Sequence, residues 1–307
     1  MHFHLPTPVA VLDLAMSDGV IVRVRRHGNL DGPRLIMSHG NGFAVDAYFP
    51  FWRRLLKDFD VFVYDQRNHG WNPRHEKSSH TQGQMADDME AILRATEARF
   101  GRRKTAGAFH SLSAVVSLLH SMRYGFQWDE LILFDPPLAP PPGHPLHEIA
   151  RNFEFALSDW ARQRSERFTS VDELAGYFKG TRRMSLWVPG VAELMARSIT
   201  RPAQDGGVEL VCPGHFEAEI YLQNSDSPAW LAIPHFANKL FIVSSDYDAP
   251  NPDPPGLVSR ALNQEFGVPV VPVRNSGHLL QVEQPEAVEK IVRDHLRARD
   301  FDVAANR

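Results

Sequence analysis

A serine, a histidine and a set of carboxylates fall in this sequence where two-step acyl chemistry would need them. Ser111 lies in Phe109-His110-Ser111-Leu112-Ser113-Ala114, where an apolar run ends and an apolar helical stretch starts at once. A turn of that kind exposes the hydroxyl and puts a helix N-terminus beneath it, which favours a developing anion. An acid-bearing turn, Ser244-Ser245-Asp246-Tyr247-Asp248-Ala249-Pro250, follows a later apolar run. His278 follows the last such run, in Asn275-Ser276-Gly277-His278-Leu279, ahead of Glu283 and Pro285. Serine is a weak nucleophile at neutral pH. A neighbouring imidazole can take its proton and later return it to a leaving group, and a carboxylate can hold the imidazole in the right tautomer.

The elements that must position these groups alternate along the chain. Short apolar runs at Val20–Val24, Leu35–Met37, Val61–Tyr64, Thr105–Phe109 and Leu131–Phe134 read as strands. Runs apolar on both faces suit a parallel sheet covered by helices. Ala47–Leu56, Gln82–Phe100 and Leu112–Met122 carry helical spacing between them. This alternation implies right-handed crossovers and a doubly wound, mostly parallel α/β sheet. Prolines at positions 136, 137 and 140–142 end the pattern. From His144 to His235 the reading is helical and irregular with no clear strand, too long for a loop, so an inserted helical cap is expected. Leu240–Val243, Pro255–Phe266, Val268–Val273 and Pro285–Leu296 then resume strand and helix. The expected division is a core over 1–137, a cap over 138–236, and the rest of the core over 237–307. Candidate groups at strand ends lie where open α/β sheets bind ligands.

With these motifs the chain resembles the α/β-hydrolase superfamily from about Val20 to Leu296. Ser38-His39-Gly40-Asn41-Gly42-Phe43, Asp65-Gln66-Arg67-Asn68-His69-Gly70, the turn at Ser111, the acid turn and Gly277-His278 carry the likeness. Within it the chain looks most like the lipase and toxin-biosynthesis hydrolase branch of bacteria and fungi. The resemblance implies an eight-stranded α/β-hydrolase fold and a catalytic triad of Ser111, Asp248 and His278. It implies an oxyanion hole from the backbone N–H groups of Asn41 and Leu112. The superfamily's spacing from Ser245 selects Asp248 over Asp246; Asp135, after the run ending at Phe134, is a third candidate, because some relatives carry the acid there. One departure stands out. The usual turn is Gly-x-Ser-x-Gly, and here Phe109 and Ser113 occupy the flanking places, so Phe109 has to point away from the helix. The resemblance implies cleavage of a carboxylic ester with an apolar acyl or aromatic group through an acyl-serine intermediate. A thioester is the nearest alternative and carbon–carbon bond hydrolysis a lesser one. A non-catalytic binding protein of the same fold is the rival from another class, with Phe109 in its favour.

Blander roles compete for several of these residues. Ser111 could be a helix N-cap, Ser113 a small packing residue, and His278 a satisfied core histidine. His39 and Arg67 read as loop braces and His110 as packed under the turn. Arg162, Arg164 and Arg167 could meet a phosphate, but Asp159 and Glu166 dilute them into a solvated face. The fifteen histidines include two close pairs, His2/His4 and His144/His147, neither with a ligand partner at a recognised spacing. No cofactor or metal is expected. A glycine-rich nucleotide loop after an early strand is missing from the sequence. The 307 residues are 43% hydrophobic and 23% charged, with a formal charge of -4. That composition gives no general pull toward nucleic acid or anionic lipid. No apolar run approaches the roughly 20 residues of a membrane helix. Cys212 is the single cysteine, so no intrachain disulfide can form. The N-terminus lacks a secretory signal pattern. The expectation is a cytoplasmic enzyme acting on a small molecule.

Overall fold

The computed structural model describes residues 3–181 and 184–301. Strands β1 (Ala10–Ala15) and β2 (Ile21–Gly28) open the chain as an antiparallel hairpin. Then come β3 (Arg34–Ser38), a four-residue helix α1 (Phe49–Trp52), β4 (Asp60–Tyr64) and α2 (Gln82–Phe100). β5 (Thr105–His110), α3 (Leu112–Tyr124) and β6 (Glu130–Phe134) complete the first part. The order across the sheet is β1-β2-β4-β3-β5-β6, and two later strands, β10 (Leu240–Ser244) and β11 (Val270–Pro272), extend it to eight. β2 meets both its neighbours antiparallel, and all other pairings are parallel. This is the α/β-hydrolase fold. Every residue of β3, β4, β5, β6 and β10 is buried, as strands sandwiched between helices must be. β3 leads to β4 on one side, while β5 lies on its other side. The chain therefore reverses its direction of travel across the sheet between β3 and β5, and a crevice opens at their carboxyl ends.

Between β6 and β10 lie α4 (His147–Gln163), β7 (Arg167–Phe168), α5 (Val171–Gly180), α6 (Val191–Ser198), β8 (Thr200–Pro202), β9 (Val208–Leu210), α7 (Gly214–Ser225) and α8 (Ile233–Phe236). The sequence suggested no strand here, yet β7, β9 and β8 form a small antiparallel sheet. Two- and three-residue strands carry too little alternation to register. α4 and α7 pack side by side. Leu174, Phe178, Trp187, Val191 and Leu194 share one apolar cluster with Phe49 and Phe51 of α1 and Val61 and Val63 of β4, so this segment is anchored into the main core.

Helices α9 (Pro254–Phe266), α10 (Leu280–Glu283) and α11 (Pro285–Ala298) close the chain around β11. The helix expected over Ala47–Leu56 is instead a 3₁₀ turn, Val45–Tyr48, running into α1. Phe49, Pro50, Phe51 and Trp52 are all buried, so no solvent face favours a longer amphipathic helix. Among the described residues no helix is long and apolar enough to cross a membrane.

Candidate active site

Ser111 links β5 to α3 with φ 51° and ψ -115°, a strained backbone that presents its side chain above the helix start. Its N–H donates to Phe134 O at 3.0 Å, pinning the turn to β6. Gly40 is the glycine this turn depends on. A Cβ there would lie 2.9 Å from His110 Nδ1 and 3.1 Å from Ser111 Cβ, so the β3 loop can press on the turn only without a side chain. At the places where glycines are usual, two other devices operate. Ser113 Oγ accepts from His110 N and donates to His110 O, both at 2.9 Å, and so ties the end of β5 to the start of α3. Phe109 is fully buried with its ring against Trp128 (5.2 Å) and Tyr64 (6.5 Å), away from the hydroxyl.

Ser111 Oγ donates to His278 Nε2 at 3.0 Å. His278 Nδ1 donates in turn to Asp135 Oδ2 at 2.7 Å. Asp135 follows β6 directly with φ 46°, and its Oδ1 accepts from Ser245 N (2.9 Å) and Ser245 Oγ (3.0 Å). Asp248 therefore does not hold the histidine. Its side chain is 45% exposed and pairs with Arg274 Nη1 at 2.8 Å. Asp246 is also turned away, bonded to Arg274 and to the N–H of Asn275 at 3.0 Å each. The chain after β10 makes a tight turn, with Ala249 N bonded to Asp246 O; it leaves Asp248 exposed and keeps Asp246 buried against the Arg274–Asn275 segment. Ser245, the small residue from which the spacing to Asp248 was measured, serves Asp135 instead. The signal for Asp135 was a short polar residue between β6 and Pro136 at a buried strand end.

The His278 loop is fixed from both sides. His278 N donates to Asp253 Oδ2 at 3.0 Å, and Gly277 N donates to Glu283. Burial disfavours the imidazolium, but the hydrogen bond and charge of Asp135 outweigh it, and the His278 pKa is raised above its ordinary value. Burial raises Glu283 to about 7. A directional chain joins this loop to the β3 loop. Gly40 N donates to Tyr48 Oη (3.2 Å), Tyr48 Oη donates to His110 Nδ1 (2.8 Å), and His110 Nε2 donates to His278 O (2.8 Å). Burial pushes His110 well below its ordinary pKa, consistent with one neutral tautomer serving both bonds.

Among the described residues, neither the backbone N–H of Asn41 nor that of Leu112 is taken by a protein acceptor. Asn41 Nδ2 donates to Glu217 O of α7 at 2.8 Å. Gly42, with φ 73°, leaves room for the Glu217 carboxylate, which a Cβ would meet at 2.4 Å. Glu217 itself pairs with Arg164 at 2.8 Å and accepts from Tyr221 Oη at 3.2 Å. His39 bridges Gly40 O and Gln66 N, and Arg67 forms a bidentate pair with Asp88 while also reaching Asp18. Both brace loops.

Burial holds His69 and His80 below their ordinary pKa, His80 at about 3, and with Cys212 they bring potential ligand atoms within 4.8 Å of one another. Their hydrogen bonds fit an ion poorly. His69 Nδ1 donates to Arg67 O and its Nε2 accepts from Gly42 N, while His80 Nδ1 accepts from Asn68 and so leaves Nε2 protonated. Burial also raises the Cys212 thiol, so it stays neutral. His144 meets Glu265 and His147 meets Pro140 O, so that pair does not converge; His2 lies outside the described residues.

The sequence profile of the alpha/beta hydrolase family matches residues 35–291. The chain belongs to the alpha/beta hydrolase family. Among solved structures, this hydrolase is similar to E-2-(acetamidomethylene)succinate hydrolase, with 20% identity, a TM-score of 0.73, and 94% of this chain and 100% of that chain covered. The thioesterase domain from the curacin biosynthetic pathway gives 15% identity and a TM-score of 0.71, covering 93% and 99%. A thermophilic esterase from Thermogutta terrifontis gives 18% and 0.64, covering 95% and 99%. No curated protein sequence matches the chain. At these identities the likeness to the solved structures speaks for the fold.

Proposed function

We propose that this hydrolase is a cofactor-independent serine esterase, with Ser111 as nucleophile, His278 as general base and acid, and Asp135 as the carboxylate partner. The observation that carries the reading is the unbroken hydrogen-bond series Ser111–His278–Asp135 at 3.0 and 2.7 Å. His278 takes the hydroxyl proton as Ser111 Oγ attacks the acyl carbon. The imidazolium then gives that proton to the leaving alcohol, and a water, activated the same way, releases the acid. The free N–H groups of Asn41 and Leu112 serve the oxyanion; one such donor is worth on the order of 3 kcal/mol in the transition state. Residues 138–236 form the cap over a small-molecule substrate.

A fluorophosphonate probe tests the nucleophile. Wild type becomes labelled at Ser111, and Ser111→Ala does not. A folded wild type that stays unlabelled overturns the reading. A panel of p-nitrophenyl esters and acyl-CoA thioesters separates ester from thioester cleavage.

A further inference from the structure

Ser111 stands at the carboxyl end of β5, and the amino ends of β3 and β5 carry a second feature. A cleft of about 450 Å³ opens there, walled by the last turns of α2, the 101–104 loop and the starts of both strands. Five basic side chains line it, Arg34, Arg94, Arg102, Arg103 and Lys104, against two acidic ones, Glu97 and Asp129. This local excess of positive charge stands in a chain whose formal charge is -4. Little on the protein neutralises it. Arg94 pairs with Glu90, but Arg103 donates to the carbonyls of Leu30 and Gly32, and its carboxylate neighbour Asp60, at 3.5 Å, already holds Arg26. Lys104 Nζ donates to the carbonyls of Arg299 (2.6 Å) and Asp300 (3.3 Å). Carbonyls tie these two side chains down without cancelling their charge. Arg102 is exposed and meets no acceptor among the described residues. Asp129 Oδ2 is turned to the backbone, accepting from Thr105 N at 2.8 Å. Arg34 lies behind the wall, 1% exposed. Its Nη2 donates to Gly101 O at 3.1 Å, while its Nε, like Thr96 Oγ1 in the same wall, is buried without a partner. Burial lowers the pKa of Arg34; the pull of Asp60 and Glu97 does not offset that burial and the repulsion of Arg103 and Arg26. A buried cation without a paired charge is costly, and an anion bound nearby offsets part of that cost. Solubility alone favours charges of both signs interspersed, not adjoining cations around a recess.

We propose that this cleft binds the phosphoryl group of a small organic phosphate, with Arg102, Arg103 and Lys104 as its contacts and Arg34 as a fixed charge beneath it. A phosphate monoester carries about two negative charges at neutral pH, close to the excess of basic over acidic side chains here, whereas a monocarboxylate leaves most of that excess unmet. Guanidinium groups match phosphoryl oxygens in a bidentate fork, and an ammonium adds a point charge. The net negative charge of the whole chain works against a polynucleotide, which needs an extended basic surface. The length of β3 and β5 separates the cleft from Ser111, so the bound phosphate takes no part in the chemistry there.

Isothermal titration of the full chain with inorganic pyrophosphate and with adenosine 5′-monophosphate, at fixed ionic strength, tests this. Wild type is expected to bind at least one of them with a Kd of about 1 mM or tighter. Succinate, a dianion without a phosphoryl group, is expected to bind about tenfold more weakly. The double variant Arg102→Gln/Lys104→Gln is expected to lose about tenfold or more in affinity, the size of one charge-assisted hydrogen bond. Both side chains are exposed, so the variant should fold; if it does not, Arg102→Gln, which breaks no described contact, is read in its place. Lys290→Gln removes an exposed cation on α11 outside the cleft and is expected to leave affinity unchanged. No binding of either probe by wild type, equal affinity for succinate, or undiminished affinity in the cleft variant overturns the inference. Tighter binding of a short DNA duplex than of pyrophosphate overturns it too, because the surface would then serve a polynucleotide. Binding is read without catalysis, so its absence would leave the esterase reading untouched.

Discussion

At the level of single residues, the two acids distinguish a triad from a near miss. Asp135→Asn leaves His278 without its carboxylate and should lower kcat by about 10³–10⁴-fold, the loss expected when the imidazole tautomer is wrong. Asp248→Asn weakens only exposed pairs with Arg274 and Arg260 and should stay within about twofold, since such pairs contribute little. Steady-state kinetics on one good ester decides between them, and the reverse ranking would return the role to Asp248. The pH profile tests the same contact. Only neutral His278 accepts the serine proton, so kcat/KM must fall as acid protonates it, and the raised pKa sets that limb above the ordinary value of about 6.5. Asp135→Asn should shift the limb to lower pH; a flat profile from pH 5 to 8 would remove His278 as the base. Ser111 and His278 were legible in the sequence because each stands at the junction of a buried strand with a turn. The carboxylate that meets the histidine was not, because Asp135 and Asp248 both follow strands and only the fold reveals which strand end faces it.

At the level of elements, the turn between β5 and α3 departs from the glycine pattern without losing its geometry. Restoring the pattern with Phe109→Gly would empty the space against Trp128 and Tyr64 and should destabilise the protein by about 3–5 kcal/mol, as removal of a buried aromatic does. Urea unfolding measures it, and a loss below about 1 kcal/mol would show that the ring is dispensable. Tyr48→Phe removes the hydroxyl between Gly40 N and His110 and tests positioning through the β3 loop. It should reduce kcat about tenfold while KM changes little, because it loosens a donor that matters in the transition state. A KM effect alone would make Tyr48 merely structural. The parallel strands were readable from continuous apolar runs. β1 was not, because this edge strand alternates half-buried and exposed residues, and its Leu12 and Leu14 do not stand out from a loop.

Across the whole molecule, buried ionisable groups set the pH range of stability. His27, held near 4, and His80, near 3, are joined by His39, His69, His110 and His120, all lowered by burial. The unfolded chain binds these protons first, so their share of stability is present above about pH 6.5 and is lost as pH falls below it. Glu283 near 7 and Glu154 near 8 act oppositely: the folded state holds their protons, and that share is lost as pH rises through those values. A thermal melt series should therefore peak near pH 6.5, and a midpoint still rising at pH 8 would contradict it. The covering segment adds a different consequence. Asn41 is fastened to α7 through Glu217 O, so the loop carrying the N–H of Asn41 is tied to that helix. On the proposed esterase reading, a displacement of α7 would therefore be felt at the Asn41 N–H as well.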